Sequence, residues 1–338
     1  MTSSVEHYLT AAERPNTRRS YESAIRHFEV EWGGFLPATA DAISRYLADY
    51  GGQLAFNTLK QRLAALAQWH QEQGFPDPTK APVVRKVLKG IRTLHPAVEK
   101  QALPLQISQI EQIVNCLDNL ILQARQSRSH ATELRHTRDK ALLLIGFWRG
   151  FRGDELKRLQ IENVQLTPGQ GLQCFLPQSK GDRQLQGRTF RVPALARLCP
   201  VAAYEDWLAI SGLSSGPVFR GIDRWGGISA GGLHENSLIP LLRRLFTRTG
   251  LTMADEFSSH SLRRGFAGWA TANGWDLKTL MEYVGWRDVK SAMRYLDVDQ
   301  QGLRERFAQG LSGLTGAHVE DARDQVPATP KIIPFPKR

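Results

Sequence analysis

The stretch R-D-K-A-L-L-L-I-G-F-W-R-G-F-R-G-D-E-L-K-R-L, residues 138–159, joins an apolar run to a glycine-bounded turn. From Thr137 to Trp148 the pattern is helical, and the segment Gly150-Phe151-Arg152-Gly153-Asp154-Glu155-Leu156 follows directly. The flanking glycines set Arg152 at a sharp turn where a new helix begins, with Glu155 three residues on. An arginine in such a place serves either as a surface charge at a helix start or as a donor pointing into a cleft.

Outward from this stretch, residues 105–315 read as one domain that mixes helices with a little sheet. Ile107 to Leu120 has helical spacing, as do Pro200 to Ile210, Ser237 to Thr249, Ser261 to Asn273 and Leu277 to Val284. Leu172 to Pro177 and Thr189 to Pro193 read as two short strands around a polar, glycine-containing turn. The half before it, residues 1–95, reads as mostly helical, with few strand signals. Tyr21, Ile25, Phe28 and Trp32 recur at helical spacing, Asp41 to Leu47 repeats the pattern, and Asn57 is the expected N-cap of a helix reaching Trp69. Residues 96–104, with Pro96 and Pro104, form the expected linker, and residues 316–338 a tail with the composition of disorder. The fold class is therefore mainly α with a small β-sheet.

A chain of 338 residues exceeds one comfortable hydrophobic core, which agrees with two domains. Its formal net charge of +11 favours a polyanionic partner, because cations that meet phosphates release condensed counterions. Lys80, Arg85, Lys86, Lys89 and Arg92 fall in a segment with no acidic residue, beside an apolar stripe of Val83, Val84, Val87, Leu88 and Ile91. That segment reads equally as a solvated helix face and as a helix laid on a phosphate backbone. Cys116, Cys174 and Cys199 lack metal-ligand spacing and read as reduced thiols, with packing the expected role of Cys116 and Cys174. No signal pattern and no membrane-spanning apolar run is present, so the expected location is the cytoplasm, at the nucleoid.

Four separated places in residues 105–315 carry residues suited to phosphoryl transfer. Arg152, in the turn Gly150 to Leu156, is the first. Lys180, in Ser179-Lys180-Gly181-Asp182-Arg183 between the two strands, is the second, and either a solvated loop lysine or a general acid fits it. The third is His260-Ser261-Leu262-Arg263, where spacing of three puts His260 and Arg263 on one helix face and Ser259 is a candidate cap. The fourth is Gly285-Trp286 followed by Met293-Arg294-Tyr295-Leu296, aromatics that elsewhere would belong to a core.

The order Arg…Lys…His-x-x-Arg…Trp…Tyr resembles the signature of the tyrosine recombinase, or phage integrase, family. Residues 138–159 are similar to its first catalytic box, 260–295 to its second, and the N-terminal half to its core-binding domain. The resemblance implies a helical core-binding (SAM-like) domain and a mixed α/β catalytic domain that form a C-shaped clamp around DNA. It implies that Tyr295 is the nucleophile, that Arg152 and Arg263 clamp the phosphate, and that Lys180 protonates the leaving 5′ oxygen. His260 would act as base or hydrogen-bond donor, and Glu155 would hold the arginine and histidine in place. Trp286 stands where many members have histidine; an indole N–H donates one hydrogen bond but carries no proton between groups at neutral pH. The resemblance further implies site-specific duplex DNA as substrate and strand exchange through a four-way junction. Its implied partners are a homotetramer on two paired sites, with room for accessory DNA-bending proteins. Neither ATP nor a metal is implied, and no P-loop or metal-ligand motif appears in the sequence.

Two other readings use the same residues. A type IB topoisomerase would share the chemistry, and the core-binding-like half argues against it. A DNA-binding regulator would use Leu277 to Leu296 as a helix-turn-helix and would leave the four catalytic places to coincidence.

Overall fold

A computed structural model describes residues 7–8, 15–96, 101–167, 169–177, 186–234, 236–251, 254–293 and 295. The chain divides into two compact units, Met1–Gln101 and Ala102–Arg338. Lys180 with its turn, Arg294, the segment Gln301 to Leu314 and the tail from residue 316 lie outside the described residues.

Unit 1 is built from α1 (Pro15–Arg26), α2 (Ala40–Tyr50), α3 (Phe56–Glu72) and α4 (Pro82–Leu94). A wider π-type turn, His27–Glu31, continues α1. α1 packs on α3 and α2 on α4. Phe28, Tyr46, Leu47, Leu59, Leu66 and Val84 form the buried centre. Thr39 caps α2 by accepting from the Ala42 N–H at 3.1 Å. The expected cap at Asn57 is corrected: α3 starts at Phe56, its N-cap is Ala55, two residues earlier, and no side chain caps it. Leu59, Leu63 and Leu66, buried along one face, hold the helix by packing instead.

The basic segment divides between two elements. Lys80 ends a short 3₁₀ turn, Pro78–Lys80, and pairs with Asp77 at 3.5 Å. Arg85, Lys86, Lys89 and Arg92 lie on α4, all exposed, while Val84 and Ile91 are buried on its other face.

Unit 2 is organised around α6 (His130–Arg149), which follows α5 (Ile107–Gln126). Every residue from Ala141 to Arg149 is buried. A helix apolar on all sides must be enclosed on all sides. α5, α8 (Pro200–Ser211) and α10 (Ser259–Ala272) enclose this one. Burying each of Leu142, Leu143 and Leu144 contributes about 1.5–3 kcal/mol.

After α6 come α7 (Gly153–Lys157) and an antiparallel sheet of β1 (Val164–Thr167), β2 (Gly171–Leu176) and β3 (Arg188–Pro193), in that order. Alternation turns Leu172, Cys174 and Leu176 of β2, with Phe190 and Val192 of β3, into the core. β4 (Arg220–Ile222) and β5 (Ile228–Gly232) form a separate hairpin, and α9 (Leu238–Arg248) follows. α11 (Leu277–Val284) and α12 (Val289–Met293) follow α10. Cys174 is buried, whereas Cys116, expected to pack inside, is only half-buried. Among the described residues, no helix is long and apolar enough to cross a membrane.

Candidate active site

The site forms where α6 ends and α7, α10 and the segment after α11 converge. Gly150 closes α6 in the left-handed conformation, φ +60°, which spares the chain the strain of a Cβ. Arg152 is then the N-cap of α7, and the Glu155 carboxylate reaches back to accept from the Arg152 backbone N–H at 2.8 Å. Its other oxygen accepts from Arg152 Nη1 at 2.8 Å. Gly153 permits close approach to α9 and α10: a Cβ there would stand 2.7 Å from Leu238 and 3.0 Å from Ser259.

On α10 the cap is Ser258 rather than Ser259. The Ser258 hydroxyl accepts from His260 N–H at 3.1 Å, and Ser261 Oγ accepts from Ser258 N–H at 2.9 Å. His260 and Arg263 leave this helix with different fates. His260 is exposed, whereas Arg263 is fully buried. Arg263 Nη1 donates to the Gly150 carbonyl at 2.7 Å and lies 3.6 Å from Glu155 Oε2, and Nη2 donates to the Val284 carbonyl at 3.3 Å. Glu155, itself buried, thus stands between both arginines.

Burial first, and the like charge of Arg152 next, push the Arg263 guanidinium down to about 9, which keeps it charged at neutral pH. Two arginines facing one carboxylate leave positive charge over, as a site for an anion requires. The Arg152 side chain, 21% exposed against 1% for Arg263, is the one that solvent reaches.

Asp276 caps α11 by accepting from Thr279 N–H, and Gly285 ends it at φ +82°. Trp286 folds back so that its backbone N–H donates to the Met281 carbonyl at 2.9 Å. The Trp286 ring covers the Arg263 guanidinium at 5.1 Å, and Tyr295 stacks on Trp286. Tyr295 Oη lies 3.3 Å from His260 Nδ1. The buried indole Nε1 of Trp286 has no hydrogen-bond partner among the described residues, a donor left open at the site.

Five of the residues singled out in the sequence, Arg152, His260, Arg263, Trp286 and Tyr295, come together here: Glu155 joins Arg152 to Arg263, Trp286 and Tyr295 lie against Arg263, and His260 meets Tyr295. Lys180 lies outside the described residues. The basic set of Lys80, Arg85, Lys86, Lys89 and Arg92 belongs to unit 1. The carbonyls of Gly150 and Val284 and the buried Arg149 are not evident from sequence reasoning. Arg149 has a signal there, a charge directly after the apolar run Leu142–Trp148. No three His, Cys, Asp or Glu side chains gather as a metal-ligand group among the described residues.

Comparison with known proteins places the chain in a family. An integrase/recombinase XerD homolog of Selenomonas ruminantium is 28% identical over 304 residues, 85% of this chain and 84% of the relative. The recombinase Cre of Escherichia phage P1 is 23% identical over 279 residues, 78% and 77% of the two chains. Among solved structures, the Tn1549 transposon integrase in complex with transposon right end DNA has a similar fold (TM-score 0.59, 12% identity, 88% of this chain and 94% of that one). So does the post-cleavage complex of the XerH site-specific recombinase with palindromic difH substrate (TM-score 0.55, 19% identity, 80% and 70%). The profile of the phage integrase family matches residues 105–302, more than half of the chain. The chain belongs to the phage integrase family, the tyrosine recombinases of site-specific recombination.

Proposed function

We propose that the protein cuts and rejoins duplex DNA at specific sites through a covalent 3′-phosphotyrosyl bond on Tyr295. The observation that carries the reading is one connected cluster: Glu155 pairs with Arg152 and Arg263, Trp286 and Tyr295 lie against Arg263, and the Tyr295 hydroxyl is 3.3 Å from His260 Nδ1. A phenol ionises near pH ~10, so a tyrosine nucleophile needs a neighbour that takes or shares its proton. His260 is that neighbour.

As Tyr295 Oη bonds to phosphorus, the bond to the 5′ oxygen breaks and negative charge grows on the non-bridging oxygens. Arg152 and Arg263, planar forks of donors, and the open Trp286 N–H meet that charge. Arg263 is covered by Trp286 and Tyr295, so the phosphate enters against Arg152 first. Lys180 supplies the proton to the leaving oxygen. The tyrosyl ester keeps the energy of the phosphodiester, so attack by a partner strand's 5′ hydroxyl restores the backbone without ATP or a metal.

Two such exchanges through a Holliday junction, on a homotetramer holding two paired sites, complete the reaction, with accessory DNA-bending proteins as further partners. Residues 1–95 serve as the core-binding half and 105–315 as the catalytic half. The exposed row of Arg85, Lys86, Lys89 and Arg92, with Lys80 beside it, contacts phosphates. The protein works on DNA at the nucleoid.

The test is covalent trapping. Wild type and Tyr295→Phe are incubated on nicked suicide duplexes carrying sequences from beside the gene, then separated on a denaturing gel. A slow protein–DNA band from wild type alone is expected. A band from both proteins moves the nucleophile elsewhere, and tight binding with no band from either favours a regulator.

A further inference from the structure

Arg149 ends α6 where a charge has little reason to be. It is 3% exposed, and its Nε and Nη1 are buried without a hydrogen-bond partner among the described residues. Its guanidinium carbon lies 4.5 Å from the ring centroid of Phe190 on β3 and 4.3 Å from that of Tyr283 on α11, with Phe151 at 5.8 Å. Burial first draws its pKa down to about 10, so at neutral pH the buried group still carries its proton. A buried cation with unspent donors lowers stability, and an aromatic sandwich returns only part of that. Some property other than stability explains its presence.

The neighbours of Arg149 say which. Tyr283 stands three residues before Trp286, and its hydroxyl donates to the Trp148 carbonyl at 2.8 Å. From the other side Arg188 Nη2 donates to the Glu282 carbonyl at 2.7 Å, while its guanidinium covers Phe190 at 5.4 Å. A Cβ on Gly285 would stand 3.0 Å from Arg188 and 3.3 Å from Phe190. The end of α11 is therefore pressed between α6 and β3, with Arg149 of α6 as the flat wedge between the rings of Tyr283 and Phe190. Trp286 follows at once, and its backbone N–H is tied back to Met281.

We infer that Arg149 is a positioning residue: through Tyr283 it fixes the end of α11 and so aims the Trp286 indole N–H at the substrate phosphate. The inference rests on the proposed role of Trp286 as a phosphate donor. Arg149 touches no reacting atom. Lysine keeps its charge but has no planar face to lie between two rings, so charge alone does not replace it.

The test compares wild type, Tyr295→Phe, Arg149→Lys, Trp286→Phe and the Arg149→Lys/Trp286→Phe double variant in single-turnover formation of the covalent complex. Indole N–H resonances of the ¹⁵N-labelled proteins are recorded beside it. Arg149→Lys is expected to slow the step at least about tenfold with DNA affinity within about twofold, and the double variant to be no slower than Trp286→Phe alone. The resonance missing from Trp286→Phe identifies Trp286, and Arg149→Lys is expected to move it while Trp32 and Trp69 of unit 1 stay in place. Tyr283→Leu, which removes one ring and leaves Arg149, is expected to give the same results and stands in if Arg149→Lys does not fold. Multiplying losses in the double variant, or an unmoved Trp286 resonance, overturns the inference. Absence of a Tyr295-dependent complex in wild type sinks the recombination chemistry instead, and the resonance still decides the positioning.

Discussion

The rings of Trp286 and Tyr295 lie against each other, 5.1 Å between centroids and 28° between planes. The Arg263 guanidinium faces both, at 5.1 and 5.7 Å. An aromatic stack over a buried cation thus keeps the tyrosine at the site, and its 3.3 Å hydrogen bond to His260 adds direction. Trp286→Phe keeps a ring for the stack and removes the N–H. Covalent cleavage should slow about 10²-fold, the usual loss for one donor at a developing oxyanion, with DNA binding unchanged. Single-turnover rates and gel shifts check this, and a rate equal to wild type would remove Trp286 from phosphate recognition.

Glu155 is the carboxylate between two arginines, 2.8 Å from Arg152 Nη1 and 3.6 Å from Arg263 Nη1. Glu155→Ala leaves the buried Arg263 charge without it and should destabilise unit 2 by about 3–5 kcal/mol. Glu155→Gln keeps an oxygen for the Arg152 N–H and should lose less. Calorimetric melting measures both, and an alanine variant as stable as wild type would contradict the account.

Gly265 on α10 admits the backbone of Leu105. A Cβ would stand 2.0 Å from the Leu105 carbonyl oxygen, and Leu105 cannot retreat without losing its N–H bond to the Ser261 carbonyl at 3.1 Å. Gly265→Ala should destabilise unit 2 by about 1–3 kcal/mol. Gly268→Ala, on the same helix with nothing within 4 Å of its Cβ, should instead gain up to about 1 kcal/mol from helix propensity. Denaturant unfolding of the two variants gives the signs, and equal signs would refute the steric argument.

His27 brings pH dependence to unit 1. Its Nδ1 lies 2.9 Å from Tyr46 Oη, and Arg62 stands against the same ring. Burial first and the Arg62 charge second hold its pKa below the ordinary 6.5, against an opposing pull from Glu31. As pH falls below ~6.5 the unfolded chain binds the proton before the folded one, so stability drops until the folded value is passed. Unit 1 should therefore unfold more easily at about pH 5 than at about pH 7, and His27→Gln should flatten the difference. Stability that rises on acidification, or an unchanged slope in the variant, would sink the assignment.

Helices whose ends are written in local chemistry are legible in the amino-acid sequence. α11 runs over Leu277–Val284 as its spacing predicts, because Asp276 caps it and Gly285 stops it. α6 follows from its apolar run, although it begins about two turns before the expected Thr137, at His130. Local chemistry also misleads: Asn57 sits inside α3, and Ser258 takes the capping role expected of Ser259. β1 and the β4–β5 hairpin leave little mark on the sequence, since they are short and mostly exposed, and a strand without alternation declares itself only by its partner.

The amino-acid sequence by itself determined which functional groups the molecule owns, in what order, and on which local turns and helices they begin. Cap residues and periodicity act over a few positions and need no distant partner. Tertiary structure alone decided what those groups face. Arg263 donates to carbonyls 113 and 21 positions away, and Arg149 lies between rings from β3 and α11. A buried charge takes its partners from whatever packing brings within a few ångströms, and no spacing along the chain records that.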